Sequence, residues 1–149
     1  MTFLAQDAAQ QALEAVPAVM RSIRAQLRSH RGADISVPQF RAMGYIDRND
    51  GASLSDLANH IGLTLPSMSK LIDGLVSRKL VRRAAHNRDR RRICLSLTPS
   101  GREGLRAAYL FTERYLADQM AGLDEDDLRS ITHAMQVLKG LFAREIQSP

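Results

Sequence analysis

The fold is decided by the stretch from Ser53 to Val76, which reads SLSDLANHIGLTLPSMSKLIDGLV. Ser53 and Asp56 have the spacing of a capping box, and the apolar residues that follow recur every three or four positions as far as Gly62. Thr64 then begins a second amphipathic segment, because its hydroxyl is a suitable N-cap. Two amphipathic helices joined by a short turn that contains glycine are typical of a helix-turn-helix.

The second of these helices is predicted to run from Thr64 to Arg78, with one apolar and one polar face. Its expected buried face consists of Leu65, Met68, Leu71, Ile72 and Leu75. The opposite face carries Ser67, Ser69, Lys70, Asp73 and Ser77. These polar residues are either an ordinary solvated face or the surface that contacts DNA. The turn, the cap and the basic segment that follows favour DNA.

A change of period after Leu80 predicts a β-hairpin. Residues 80–83 and 92–97 alternate as half-buried strands, and residues 85–91 form a polar connection. We expect Ile93 and Leu95 to fill the core and Cys94 to point away from it. A lone basic loop is usually just solvated, but the arginines at this tip repel one another in the absence of an anionic partner.

Positive charge is concentrated in this part of the chain. Residues 53–97 contain nine lysines and arginines against three aspartates, a net charge of +6. The whole chain of 149 residues is +5, so the remainder is at −1. A basic excess confined to under a third of the chain is typical of a phosphate-facing surface, because counterion release supplies most non-specific affinity for nucleic acids.

The flanking regions are predicted to be helical. Apolar residues recur at helical spacing over 3–30, where Pro17 could kink the helix, and a short helix follows Ser36. Two more helices are expected after Thr98 and from about Asp124. The sequence has no pattern of a cleavable leader or a membrane span, and its single cysteine excludes an intramolecular disulfide framework. We therefore expect a cytoplasmic protein.

Three blocks of sequence resemble the multiple antibiotic resistance regulator (MarR) family. They are residues 54–76, then LVRR at 80–83, then RDRRRICLSLTPSG at 88–101. The resemblance implies a mainly α fold with a small β-hairpin wing, in the order α-α-α-α-β-β-α-α. It implies a single domain over 1–149. In that domain a winged helix-turn-helix lobe at 36–99 is flanked by helical dimerisation regions at 1–34 and 101–149.

The same resemblance assigns the DNA contacts. It places helix 64–78 in the major groove as the recognition helix, and hairpin 80–97 beside the minor groove as the wing. The residues that it assigns to DNA are Pro66, Ser67, Ser69, Lys70, Arg88, Arg90, Arg91 and Arg92. Asp89 and Arg91 match the family's Asp-x-Arg motif, in which the two charges brace the hairpin. Arg90, between them, then reaches into the minor groove.

Two places depart from the family pattern. Lys79 stands where a helix-ending glycine is common, so either Lys79 adopts a positive φ at some cost or the helix runs one residue further. His86 and Asn87 replace a frequent Asp-Pro pair, and Asn87 can still occupy a turn. The existence of the wing is therefore better determined than its placement.

The resemblance implies a homodimeric transcriptional regulator of a pseudo-palindromic DNA operator, most often a ligand-responsive repressor. Effectors of the family are small aromatic or anionic molecules bound where the helical frame meets the DNA lobe, and the candidate ligand residues here are His30, Arg31 and Tyr45. The chain shows no catalytic motif, cofactor loop or metal-ligand spacing, so no catalytic residues, cofactors or metal site are expected. The alternative is a winged-helix protein-interaction module whose basic surface meets an acidic protein.

Overall fold

A computed structural model describes residues 2–29, 35–85, 88–89 and 91–143 of the chain. The helices within these ranges are α1 (Phe3–Ser29), α2 (Val37–Arg48), α3 (Leu54–Ile61), α4 (Leu65–Ser77), α5 (Pro99–Met120) and α6 (Glu125–Phe142). The strands are β1 (Val81–Ala85) and β2 (Ile93–Leu97). The predicted order of helices and strands is confirmed. The chain divides into two compact units, Met1–Thr112 and Glu113–Pro149.

Local hydrogen bonds fix the ends of the short helices. The Ser53 hydroxyl accepts from the Asp56 amide at 3.1 Å, and the Asp56 carboxylate accepts from the Ser53 amide at 3.1 Å, which closes the predicted capping box. Ser36 and Gln39 form a second capping box at the start of α2. Gly62 ends α3 with a φ of 81°, a left-handed conformation that glycine adopts at little cost.

The core of the first unit lies where α2, α3 and α4 meet the hairpin. Its largest fully buried side chains are Met43, Ile46, Leu57, Met68, Ile72, Leu75, Val81 and Leu95. The prediction that Leu65 is buried is wrong, because this side chain is 50% exposed. Leu65 shares the face of Ile72 but lies two turns earlier. The period of a helix identifies a face without showing how far along it the core extends.

The hairpin is antiparallel and only its base reaches the core. Val81 pairs with Leu97, Arg83 with Leu95 and Ala85 with Ile93, and these pairs share the inward face. The prediction that Ile93 fills the core is wrong, since it is 54% exposed near the tip. Strand alternation gave its direction correctly, but none of the described core residues lies opposite it.

Three further features describe the hairpin: the end of β1, the position of Cys94 and a bridge to the segment before α3. Ala85, predicted to belong to the connection, is the last residue of β1. Cys94 is half-buried on the outward face, opposite Ala84. The segment before α3 adds a short bridge, in which the Leu95 amide donates to the Ala52 carbonyl at 2.9 Å. This bridge ties β2 to the start of the helix-turn-helix.

The second unit contains the end of α5 and all of α6. Asp124 caps α6 by accepting from the Asp127 amide at 2.8 Å. No residue of α6 is buried in the single chain. Among the described residues, no helix has both the length and the apolar character needed to cross a membrane.

Candidate nucleic-acid interface

The outer surface of α4 is built by its N-cap and its buried face. Thr64 precedes the helix with extended backbone, and its hydroxyl accepts from the Ser67 amide at 3.3 Å. Met68, Ile72 and Leu75 are fully buried, and they fix which face of α4 points outward. On that outward side Pro66, Ser67, Lys70, Asp73 and Ser77 are exposed, whereas Ser69 is half-buried. Of the predicted helix contacts, Ser69 is therefore the least accessible.

The joint between α4 and β1 is a Schellman motif. The Lys79 amide donates to the Val76 carbonyl and the Leu80 amide donates to the Leu75 carbonyl, both at 2.9 Å. Lys79 has a φ of 59° and is the only described residue other than glycine with positive φ. Of the two conformations expected for Lys79, the structure adopts the strained one, and α4 ends at Ser77.

The start of α5 holds this joint in place. The Thr98 hydroxyl donates to the Lys79 carbonyl at 2.6 Å and accepts from the Gly101 amide at 3.0 Å. A Cβ on Gly101 would lie 2.0 Å from the Leu80 carbonyl oxygen, so a side chain at this position clashes with backbone. The close approach of α5 to Leu80 therefore requires glycine at position 101. This approach holds the short segment that connects α4 to β1.

The described part of the hairpin tip is basic and exposed. Arg88, Arg91 and Arg92 all lie in solvent. The Asp89 carboxylate accepts from the Arg91 amide at 3.0 Å, and the Arg92 amide donates to the Asp89 carbonyl at 3.0 Å. The contact between Asp89 and Arg91 that the structure records thus uses the main chain of Arg91. Arg90, His86 and Asn87 lie outside the described residues.

One ion pair joins α4 to the hairpin. A guanidinium nitrogen of Arg83 on β1 hydrogen-bonds the carboxylate of Asp73 on α4. Their side chains are 35% and 60% exposed, respectively. The outward surface of α4 therefore presents Lys70 beside an aspartate whose charge is compensated, so the surface remains attractive to phosphate.

The predicted ligand residues are only partly described. His30 and Arg31 lie outside the described residues. Tyr45 is half-buried on α2, with its ring centroid 4.5 Å from that of His60. Burial lowers the pKa of His60 below its usual value, and the positive charges of Arg41 and Arg48 lower it further. Both effects favour the neutral imidazole of His60.

A cavity of about 310 Å³ lies between the end of α1 and the start of α2. It is lined by Arg24, Leu27, Arg28, Ile35, Ser36, Val37, Pro38 and Arg41. Three guanidiniums beside apolar side chains make a site suited to an anion with an apolar body. The sequence prediction placed His30 and Arg31 just after α1 and Tyr45 on α2, and it missed these arginines. The spacing of Arg24 and Arg28, one helical turn apart, was a signal that could have found them.

Among the described residues, no group of three or more histidine, cysteine, aspartate or glutamate side chains could hold a metal ion.

The amino-acid sequence matches a known protein family and several related proteins. The model of the MarR family matches residues 33–92. An HTH-type transcriptional regulator of Mycobacterium tuberculosis is 30% identical over 124 residues, which cover 81% of this chain and 87% of that protein. YfiV of Bacillus subtilis, also an HTH-type transcriptional regulator, is 23% identical over 70% of this chain and 66% of its own length.

Solved structures share the fold. RV1404 from Mycobacterium tuberculosis superposes with a TM-score of 0.82 at 18% identity, covering 96% of this chain and 97% of that one. FabT from Streptococcus pneumoniae, solved in complex with DNA, superposes with a TM-score of 0.70 at 19% identity, covering 91% of this chain and 98% of FabT.

Proposed function

Because this chain belongs to the MarR family of DNA-binding transcriptional regulators and is not an enzyme, we propose that it binds a pseudo-palindromic operator sequence-specifically, as a homodimer. In this proposal α4 enters the major groove with Pro66, Ser67 and Lys70 foremost. Short hydroxyls can contact bases or phosphates there, and lysine favours phosphate or guanine. The hairpin tip lies beside the minor groove, where Arg90 is the proposed reader and Asp89 and Arg91 brace it.

The observation that carries the proposal is the exposure of two neighbouring cationic surfaces. Lys70 lies on the open face of α4, and Arg88, Arg91 and Arg92 lie in solvent at the hairpin tip. A short, tightly capped helix with an open outward face is the geometry by which a helix-turn-helix docks. Ser69, which is half-buried, is the weakest member of the proposed contact set.

A second copy of the chain is the proposed partner of the helical regions. Phe3, Leu4 and Leu13 on α1 are 91%, 82% and 77% exposed. On α6, Leu141 and Phe142 are 61% and 51% exposed. Apolar surface of this extent usually marks an interface. A two-fold dimer presents two recognition helices to half-sites about 10 bp apart, which is why the operator is expected to be pseudo-palindromic.

The dimer is tested by light scattering after size exclusion. The expected mass is twice the 16.6 kDa of one chain. Leu13→Glu is expected to lower the apparent mass, because the charge would be buried in the interface. Gln6→Glu, an exposed substitution near the start of the same helix, is its matched control. A mass of one chain at micromolar concentration would contradict the proposed dimer.

The cavity supports regulation by a small anionic molecule with an apolar, commonly aromatic, body. Arg24, Arg28 and Arg41 would bind its charge, and the apolar lining would cover the rest. A molecule that binds one spacing of the two DNA lobes more tightly shifts DNA affinity by that difference, typically 1–3 kcal/mol. His30, Arg31 and Tyr45 remain proposed members of this ligand site.

Aromatic carboxylates are the probe for this site, measured by displacement of labelled operator. We expect Arg24→Ala to weaken the response to the ligand while leaving operator affinity in its absence close to that of the wild type. Arg21→Ala, one turn earlier on α1 and not part of the cavity lining, is the matched control. An equal loss of response in both variants would place the ligand elsewhere.

Binding site selection from random duplex DNA, followed by anisotropy titration over a range of salt concentrations, tests the main proposal. The expected result is a symmetric site whose affinity falls steeply with log salt. Operator occupancy would then repress transcription by excluding RNA polymerase. The proposed location of the protein is the cytoplasm. Affinity that is indifferent to both DNA sequence and salt would instead favour a protein-interaction module.

A further inference from the structure

The two elements proposed to enter different grooves of DNA are joined by the ion pair of Asp73 and Arg83. We propose that this pair is a positioning brace, which sets the angle between α4 and the hairpin and so the distance between the major-groove and minor-groove contacts. The inference rests on the proposed DNA-binding function. It adds two positioning residues that are not themselves expected to contact DNA.

The position of Arg83 on the hairpin supports this role. Arg83 shares the inward face with the buried residues Val81, Leu95 and Leu97. The next inward pair, Ala85 with Ile93, is exposed. Arg83 is thus the last inward residue before the hairpin projects past the core. A contact made there controls the direction of everything beyond it.

The position of Asp73 supports it from the other side. Asp73 lies on the outward face of α4, one turn beyond Lys70, and its carboxylate is directed to a residue ten positions further along the chain. An uncompensated carboxylate here would repel the phosphates that Lys70 attracts. The Arg83 guanidinium reduces that repulsion by pairing with the carboxylate.

Stabilisation of the fold does not account for the pair. Side chains that are 35% and 60% exposed form a pair whose strength is greatly reduced by solvent. In this proposal the modest energy acts on geometry: Thr98 and Gly101 hold the base of the hairpin, and the ion pair sets its tilt.

The experiment compares Arg83→Ala, Asp73→Ala and the control Arg82→Ala on the selected operator. Arg82 is exposed on the outward face of the same strand, so its removal costs the same charge without breaking the brace. Minor-groove protection is read by hydroxyl-radical footprinting, and major-groove contact by interference from guanine N7 methylation. Thermal melts confirm that each variant is folded.

The brace predicts that Arg83→Ala and Asp73→Ala both lose minor-groove protection and about two- to fivefold in the ratio of specific to non-specific affinity. Both keep major-groove interference, although they change the net charge in opposite directions. Arg82→Ala is expected to keep both patterns and to weaken specific and non-specific binding alike.

Two results would overturn the brace while leaving the proposed function intact. One is that Asp73→Ala tightens and Arg83→Ala weakens binding with unchanged footprints, as charge alone would dictate. The other is that Arg83→Ala behaves as Arg82→Ala does. If the wild-type protein gives no operator-specific footprint at all, the proposed function fails and the brace falls with it.

Discussion

Replacing Lys79 with glycine should make the protein more stable, although it removes a side chain and a charge. Lys79 occupies the left-handed position of the Schellman motif with a φ of 59°. Its carbonyl is held by the Thr98 hydroxyl at 2.6 Å, and the amides on either side of that carbonyl complete the motif, so the turn cannot relax without losing hydrogen bonds. The strain is therefore expected to persist in the native protein.

The magnitude follows from two opposing terms. A non-glycine residue in the left-handed region costs about 1–2 kcal/mol, which glycine removes. Glycine in turn loses about 0.5–1 kcal/mol more conformational entropy on folding than other residues do. The middle values of the two ranges give a net stabilisation of about 0.75 kcal/mol. With a urea m-value of about 2 kcal/mol/M, the unfolding midpoint should rise by about 0.4 M.

Urea unfolding at a fixed protein concentration measures this effect, because the stability of a dimer depends on concentration. Lys79→Ala is the matched control, since alanine keeps the strain but loses the charge, and we expect its midpoint to stay close to that of the wild type. Operator affinity should fall equally in both variants. The reasoning is refuted if Lys79→Gly is no more stable than Lys79→Ala.

Three further predictions concern other parts of the first unit. Gly101→Ala should lower the free energy of unfolding by about 1–3 kcal/mol, because the added Cβ meets the Leu80 carbonyl. Gly104→Ala is the control on the same helix: open space surrounds Gly104, so this variant should be neutral or stabilising in the same urea assay. The pKa of His60 is lower in the native protein than in the unfolded chain, so the unfolded chain takes up a proton first as the pH falls. The free energy of unfolding should therefore decrease as the pH drops below about 6.5, and it should level off below the native pKa. His60→Gln should lose this part of the pH dependence in melts between pH 7.5 and 5.5, and an unchanged dependence would contradict the assignment. Lys70→Ala should reduce the slope of log affinity against log salt by about one and weaken all DNA sequences alike; an unchanged slope would mean that Lys70 does not contact phosphate.

Features set by neighbours in the chain were predictable. The capping box of Ser53 and Asp56, the left-handed Gly62 and the cap at Thr64 each depend on atoms within a few residues. The sequence also restricted Lys79 to two conformations. It could not choose between them, because the choice depends on the Thr98 hydroxyl, which lies 19 positions away.

Features set by packing were not predictable to the same degree. Leu65 and Ile93 have the period of core residues and are exposed, because periodicity gives the direction of a side chain and not what lies opposite it. The arginine-lined cavity was missed because Arg41 joins Arg24 and Arg28 only when α2 folds beside the end of α1.

The sequence by itself determined that the chain carries a basic winged helix-turn-helix, since caps, turn glycines and apolar periods are short-range signals. Its three motif blocks carried the resemblance to the MarR family. Only the tertiary structure decided how that motif is held together. The pairing of Asp73 with Arg83 and the need for glycine at 101 arise where distant segments meet. Contacts of this kind depend on distances in space, which the order of residues along the chain does not specify.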